Sequence, residues 1–179
     1  MHQLAKHQKG RHLVSIHRSE IDENSIQGLI LASSEDLVVF QYVYDFNLDG
    51  LMVLRVADIT EVRHSATDKF QKGLLEQDGL MQRVPFGADF DLRNWKSVIT
   101  QLSKEYPLMI LECEALEEAD FAIGRVLKTT QTGVQFLFFS GAANWAEKPE
   151  ILKFKDITCC QVGTNYVNVY QRHFEREVL

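Results

Sequence analysis

The stretch IQGLILASSEDLVVFQYVYD, residues 26–45, decides the fold, because a weakly similar stretch, AIGRVLKTTQTGVQFLFFSG, recurs at residues 122–141. Gly28 of the first stretch aligns with Gly124 of the second, 96 residues further along the chain. A pattern that recurs at a fixed distance indicates two copies of one structural unit. We therefore predict an internal repeat.

The sequence around both stretches is typical of short strands. Runs such as LVVFQYVY and VQFLFF are rich in β-branched and aromatic residues, and turn signals such as SSED and TTQTG interrupt them. The tripeptide DIT also occurs in both copies, at residues 58–60 and 156–158. Each copy thus predicts a series of short strands.

Three segments predict helices. Residues 91–107 carry an apolar stripe at helical spacing, with Asp91 as the expected N-cap and Pro107 at the end. Residues 164–177 carry a second stripe, and residues 66–77 a weaker one that Gly73 interrupts. The stripe residues are Trp95, Val98, Ile99 and Leu102 in the first helix and Tyr166, Val169, Tyr170 and Phe174 in the second.

The order of a helix followed by five short strands resembles the Sm-like proteins, whose small bent barrels bind RNA. LRVADITEV, residues 54–62, is similar in length and apolar pattern to the family's second motif, with Arg55 at its arginine position and Val56 replacing its glycine. In the second copy Lys153 stands at the arginine position. A generic SH3-like barrel fits the pattern nearly as well.

The resemblance does not extend to the RNA-binding chemistry. The family's first motif places Asp six residues after its glycine and Asn ten residues after it. Those positions hold Ser34 and Val38 in the first copy, and Thr130 and Val134 in the second. Because Asn and the Arg-Gly pair build the family's base-binding pocket, the resemblance implies the fold and little of the binding. Fold alone does not establish function.

We therefore expect a mainly β protein of the α+β class, with two similar small bent β-barrels in tandem, a helix between them and a C-terminal helix. One larger barrel or sandwich built from both copies is the alternative. The expected divisions are a polar lead-in at residues 1–12, a first repeat at 13–77, a linker with an amphipathic helix at 78–107, and a second repeat at 108–179.

The adjacent cysteines Cys159 and Cys160 predict a strand rather than a redox or metal site. Aligning the copies places Cys160 on Val62, a core position, where free cysteine behaves as a small hydrophobe. Cys159 should then face the opposite side of the strand and be open to reaction unless a partner covers it. No CxxC pair is present, and Cys113 lies in another predicted strand.

Two further patterns suggest metal binding but favour simpler interpretations. DFNLDG, residues 45–50, begins like a calcium loop, yet Val56 stands where a bidentate Glu is required, so we predict a hairpin loop with an Asp-Gly turn. Histidines recur every five residues, a spacing that matches neither a helix face nor a strand face, and we expect them not to converge on one ion. They are His2, His7, His12 and His17. We expect no metal and no cofactor.

Composition and charge restrict the possible partners. The 179 residues carry a net charge of -6, which penalises general nucleic-acid binding. No apolar run reaches the roughly 18 residues of a membrane span, and the N-terminus lacks the apolar core of a signal peptide. We expect a cytoplasmic protein with a protein partner or a second copy of itself, and without membrane association.

The leading functional hypothesis is a non-enzymatic protein-interaction or assembly module, since no catalytic motif is present in the sequence. The alternative is single-stranded RNA binding through Arg55, Lys153 and the aromatic residues Tyr42 and Tyr44. A third hypothesis is a small-molecule enzyme with a site between the copies. Self-association, most simply as a dimer, would use the strand edge formed by Met52, Val53, Leu54 and Arg55.

Overall fold

A computed structural model describes residues 2–116 and 120–177 of the chain. It shows an α+β protein built mainly of antiparallel sheet, as predicted. The chain divides into two compact units, the first ending at Leu92 and the second beginning at Arg93. Within the described ranges, none of the helices is long and apolar enough to cross a membrane.

The first unit contains two helices and five strands. In chain order they are α1 (His2–Lys9), β1 (Leu13–Arg18), β2 (Asp22–Ser33), β3 (Leu37–Tyr44), β4 (Asn47–Arg55), β5 (Glu61–Arg63) and α2 (Ala66–Gln77). Within this unit the strands lie in the order β5-β1-β2-β3-β4. Short 3-10 turns follow β4 and α2, at Val56–Asp58 and Leu80–Arg83.

The second unit repeats this strand order. It contains α3 (Trp95–Glu105), β6 (Met109–Cys113), β7 (Asp120–Thr129), β8 (Gly133–Phe138), β9 (Glu150–Lys153), β10 (Cys159–Val162) and α4 (Asn165–Glu177). Its strands lie in the order β10-β6-β7-β8-β9, so each unit places its fifth strand beside its first. Among the described residues no pairing joins β5 to β4 or β10 to β9, and the strands of neither unit close into the expected barrel.

The two sheets also share register. Gly28 pairs with Tyr42 across β2 and β3, and Gly124 pairs with Phe138 across β7 and β8. Each pairing shifts by one residue just afterwards, at Leu31 in the first unit and Leu127 in the second. Such a bulge bends a strand and increases its twist. The same bend therefore occurs at matching points of both sheets.

Helix α1 lies in the segment that the sequence analysis assigns to a polar lead-in. Its Leu4 side chain is buried, and Gln8 donates from Nε2 to the carbonyl oxygen of Leu31 at 3.0 Å. The helix is thus attached to β2 by one apolar and one polar contact. A single leucine in a polar octapeptide is too weak a pattern to predict such a helix.

The other helices begin close to their predicted positions. Helix α2 has the predicted bounds, with Ser65 as N-cap. Helix α3 begins later than expected, because Asn94 rather than Asp91 caps it and accepts from the Ser97 amide at 2.9 Å. Its predicted stripe is confirmed, since Trp95, Val98, Ile99 and Leu102 are all buried.

The hairpin predicted at residues 45–50 forms, but its turn differs. Asp45 and Phe46 occupy the two turn positions with φ of 46° and 61°, and β4 already begins at Asn47. Positive φ at both positions is typical of the tight turns that match the twist of paired strands. The Asp49-Gly50 dipeptide lies inside β4 instead, where Gly50 adopts a φ of 76° beside a bulge.

Gly124 is expected to tolerate no side chain. A Cβ atom there would lie 2.6 Å from the Cα of Phe138 and closer still to the Leu137 carbonyl oxygen. Gly124→Ala should therefore lower the free energy of unfolding by about 1–3 kcal/mol, the usual cost of overpacking. Urea denaturation followed by circular dichroism measures this.

Gly73→Ala is the matched control, because nothing lies within 4 Å of a Cβ at this helical position. It should raise the stability by about 0.5–1 kcal/mol through helix propensity. An equal response of the two variants would contradict the close approach of β8 to Gly124.

Candidate functional site

Arg55, the first residue of the predicted RNA contact, is engaged within its own unit. Its Nε donates to Asp58 Oδ2 at 2.7 Å and its Nη2 donates to Asp58 Oδ1 at 2.9 Å. Such a two-point contact between guanidinium and carboxylate is strong and directional. Arg55 therefore holds the 3-10 turn after β4, and a nucleotide would compete with Asp58 for it.

Tyr42 and Tyr44 lie on one face of β3, with ring centroids 6.1 Å apart. Tyr44 is 63% exposed and Tyr42 is half-buried. Lys153 is exposed on β9, in the second unit. The structure thus brings the two tyrosines together, while the RNA-binding role of these residues stays a prediction.

The residues of the predicted oligomer edge lie along β4 and pair with β3. Val53 faces Val39 and Leu54 faces Val38, and the side chains of Met52, Val53 and Leu54 are buried. These side chains belong to the core of the first unit. Self-association through the backbone of this strand stays a prediction.

All three cysteines are buried, which corrects one expectation. Cys160 lies in the core as predicted, and burial, followed by the charge of Glu112, raises the pKa of its thiol to about 12. Cys159 points to the other face of β10 but is equally buried. Both faces of β10 are therefore covered. The alternation of side chains along a strand predicts that the two cysteines face opposite sides, but not that both sides are buried.

Native cysteine labelling tests this burial. None of the three thiols should react with a disulfide reagent at about pH 8, because each is shielded and thiolate is the reacting form. All three should react once urea unfolds the chain. Rapid labelling of one thiol in the native protein would show that its strand is open to solvent.

An aromatic cluster lies in the second unit around Phe139. The ring of Phe139 lies 5.1 Å from Trp145, 4.9 Å from Tyr170 and 5.0 Å from Phe174, measured between centroids. Edge-to-face and tilted pairs at these distances are favourable beyond the area they bury. Tyr170 also donates its hydroxyl to the Gly141 carbonyl oxygen at 3.0 Å, which attaches α4 to the loop after β8.

A groove of about 390 Å³ opens beside this cluster. We call it the aromatic groove; its lining comprises Pro107, Leu108, Arg125, Trp145, Gln171, Phe174 and Glu175. The Arg125 guanidinium carbon lies 4.8 Å from the centre of the Trp145 ring, a cation–π contact. The groove therefore combines an apolar surface with one cationic and one anionic group.

The sequence pattern predicts only the helical part of this groove and of the aromatic cluster beside it. Tyr170 and Phe174 belong to the predicted stripe of α4, although Val167 rather than Val169 is the buried residue beside them. Trp145 and Arg125 carry no periodic signal, because one lies in a loop and the other alternates on an ordinary strand. Their pairing arises only when β7 and the loop meet.

Three histidines converge in the first unit: His7 and His12, two of the four evenly spaced histidines, meet His64. His7 and His12 form a hydrogen bond between their Nδ1 atoms at 3.1 Å, and the rings of His12 and His64 stack with centroids 4.3 Å apart. His64 donates from Nδ1 to the Leu13 carbonyl oxygen at 2.8 Å. We call His7, His12 and His64 the imidazole cluster.

The cluster went unpredicted because His64 is more than fifty residues from the other two in the sequence. The five-residue spacing of His7 and His12 also fails as a helical pattern, since α1 ends between them at Lys9. The chain turns back there, and His12 donates its amide to the His7 carbonyl oxygen at 3.0 Å. Within the described residues, no group of three or more side chains has the geometry of a metal site.

A buried carboxylate, Asp68, lies at the start of α2. It accepts from the Ser65 amide at 2.7 Å, from the Ser65 hydroxyl at 2.6 Å, from the Ser15 hydroxyl at 2.8 Å and from Gln27 Nε2 at 3.1 Å. Burial alone would raise the pKa of Asp68, but these hydrogen bonds outweigh burial and lower it. The network holds α2 against β1 and β2.

The imidazole cluster should make stability depend on pH. Burial, followed by the charges of neighbouring histidines and lysines, lowers the pKa of both His7 and His12. The unfolded chain then binds more protons than the folded protein below about pH 6.5, so the free energy of unfolding should fall as pH decreases from about 7 towards 5. Asp68 contributes in a separate window, because its carboxyl protonates only in stronger acid.

Urea denaturation at a series of pH values measures this slope. His12→Gln should flatten it, whereas His173→Gln, a change at an exposed position on α4, should leave it unaltered. If the free energy of unfolding had the same pH dependence in both variants, the imidazole cluster would not be the cause of that dependence.

Comparisons of the chain with protein-family models, with curated proteins and with solved structures found no significant match. The Sm-like resemblance therefore stays a prediction from the sequence pattern. The aromatic groove and the imidazole cluster are the two features from which a function can be argued.

Proposed function

We propose that this chain is a non-enzymatic interaction module, and that its aromatic groove binds a short segment of a partner protein. The observation that supports this most directly is the size and lining of the groove. Its volume of about 390 Å³ falls within the range of about 300–1,000 Å³ that specific ligand sites occupy. Trp145 and Phe174 offer the aromatic surface on which binding energy commonly concentrates.

The charges of the groove define the partner. Arg125 is exposed and lies over Trp145, so an acidic group that pairs with it would also contact the indole ring. Glu175, also in the lining, carries the opposite charge and favours a hydrogen-bond donor, such as a backbone amide or a lysine. The best-matched segment has one large apolar side chain next to an aspartate or glutamate.

The lining also favours binding over catalysis. Its titratable groups are Arg125 and Glu175, and the seven lining residues include no serine, cysteine or histidine. Covalent catalysis requires a nucleophile beside a base, and general acid–base catalysis requires a proton donor near neutral pH. An arginine paired with an indole serves recognition of an anion better than proton transfer.

We further propose that the two units are tandem repeats of one small, bent sheet of the Sm-like or SH3-like kind. Support comes from the shared strand order, the matching glycine pairs and the matching bulges at Leu31 and Leu127. An experimental structure in which each unit superposes on the other over its five strands is the expected result.

Selection from a random-peptide library on the full-length protein tests the binding proposal. Enriched peptides should share a leucine or aromatic residue beside an acidic one. Phe174→Ala should weaken a selected peptide by roughly tenfold, the typical effect of truncating a central contact. Arg125→Glu, at an exposed position, should abolish the preference for acidic residues without disturbing the core.

Phe70→Glu is the matched control, since Phe70 is an exposed aromatic residue of α2 in the first unit. Peptides that bind this variant and Phe174→Ala equally well would contradict the groove as their site. The alternative occupant of the groove is a second copy of this chain, which light scattering tests. A concentration-dependent dimer that Arg125→Glu dissociates would show that a second copy, and not a partner segment, fills the groove.

A further inference from the structure

The imidazole cluster lies where positive charge accumulates in the first unit. His7 belongs to the last turn of α1, together with Lys6 and Lys9. His64 directly precedes Ser65, the N-cap of α2, and that helix carries Lys69 and Lys72. The charges of His64, Lys72, Lys6 and Lys69 all act on His12 and disfavour its protonation.

Few acidic groups offset this charge. On α2, Glu76 pairs with Lys72. Asp68 is buried and accepts its hydrogen bonds from serine and glutamine side chains and from a backbone amide. Arg11 adds a further positive charge on the segment after α1, where it stacks over Phe86. A concentration of like charges in a chain of net charge -6 favours a bound counter-charge.

The chemistry of the cluster favours an anion over a metal cation. A cation would be repelled by Lys6 and Lys69, and the Nδ1 atoms of the three rings are already hydrogen-bonded. Because a carbonyl oxygen can only accept, His64 Nδ1 carries a hydrogen, and the neutral ring has none on Nε2. His64 can therefore donate from Nε2 to an anion only after it takes up a proton.

We propose that the imidazole cluster, with Lys6 and Lys69, binds an oxyanion of the phosphate type and that binding is coupled to proton uptake by the histidines. The anion offsets the repulsion that disfavours protonation of His7 and His12. Its affinity consequently rises as pH falls through the titration range of histidine. This site is independent of the aromatic groove and lies in the other unit.

Isothermal titration calorimetry of the full-length chain with sulfate tests the coupling. Sulfate has the shape of phosphate and does not titrate near neutral pH. Any proton that is taken up on binding is therefore bound by a group of the protein. Titrations at about pH 6.5 in two buffers of different ionisation enthalpy should show net proton uptake, and binding should be tighter at about pH 6 than at about pH 7.5. Binding without proton uptake, or no binding at either pH, would overturn the proposal.

Variants locate the site. Lys69→Glu should weaken sulfate binding several-fold, and His12→Gln should reduce the proton uptake while keeping a side chain that can donate. Lys96→Ala, at an exposed position on α3 in the second unit, is the control and should bind as the parent does. Thermal unfolding of each variant shows that it is folded. Equal binding by Lys69→Glu and Lys96→Ala would contradict the assignment.

Two further ligands identify the source of the oxyanion and exclude the cation. Inorganic phosphate and a short single-stranded oligonucleotide are titrated under the same conditions, and we expect the free ion to bind and the oligonucleotide to bind weakly. Tighter oligonucleotide binding that Lys69→Glu abolishes would support the oxyanion chemistry and assign it to a nucleic-acid backbone. Zinc is titrated as the cation. If zinc binds and His12→Gln abolishes that binding, while sulfate shows no binding, the proposal would be overturned.

Discussion

Gly28 and Gly124 lie where a neighbouring strand comes too close to leave room for a side chain. A Cβ atom at Gly28 would lie 2.6 Å from the Gln41 carbonyl oxygen, and at Gly124 the same distance from the Cα of Phe138. Close backbone approach of this kind is open only to glycine. It sets the register of the central strand pair in each unit, and the bulge that follows then bends the sheet. The packing of the core residues on the inner face of that bend depends on this close backbone approach.

The two units use the same strand order to present different chemistry. In the first, a buried carboxylate takes its hydrogen bonds from neutral groups, and three imidazoles meet where lysine charges act on them. In the second, α4 covers the sheet with aromatic rings and leaves a groove in which Arg125 lies on Trp145. A shared backbone pattern therefore does not require a shared function, and each unit has to be argued from its own side chains.

Local patterns predicted most of the secondary structure. Helix α2 has its predicted bounds and the apolar stripe of α3 is buried, because periodicity and capping act over a few residues. The aligned glycines Gly28 and Gly124 occupy matching pairing positions, because a close backbone approach at each excludes a side chain. Cys160 was predicted correctly as a core residue, although Val62, the residue with which it was aligned, is only half-buried.

The sequence by itself thus determined most of the strands and the helices other than α1, all of which depend on neighbours close along the chain. Only the tertiary structure decided which surfaces are covered and which distant side chains meet. It buried Cys159, brought His64 to His12 and placed Arg125 on Trp145. These contacts join residues that lie tens of positions apart, and no periodicity records them because each depends on how separate elements pack.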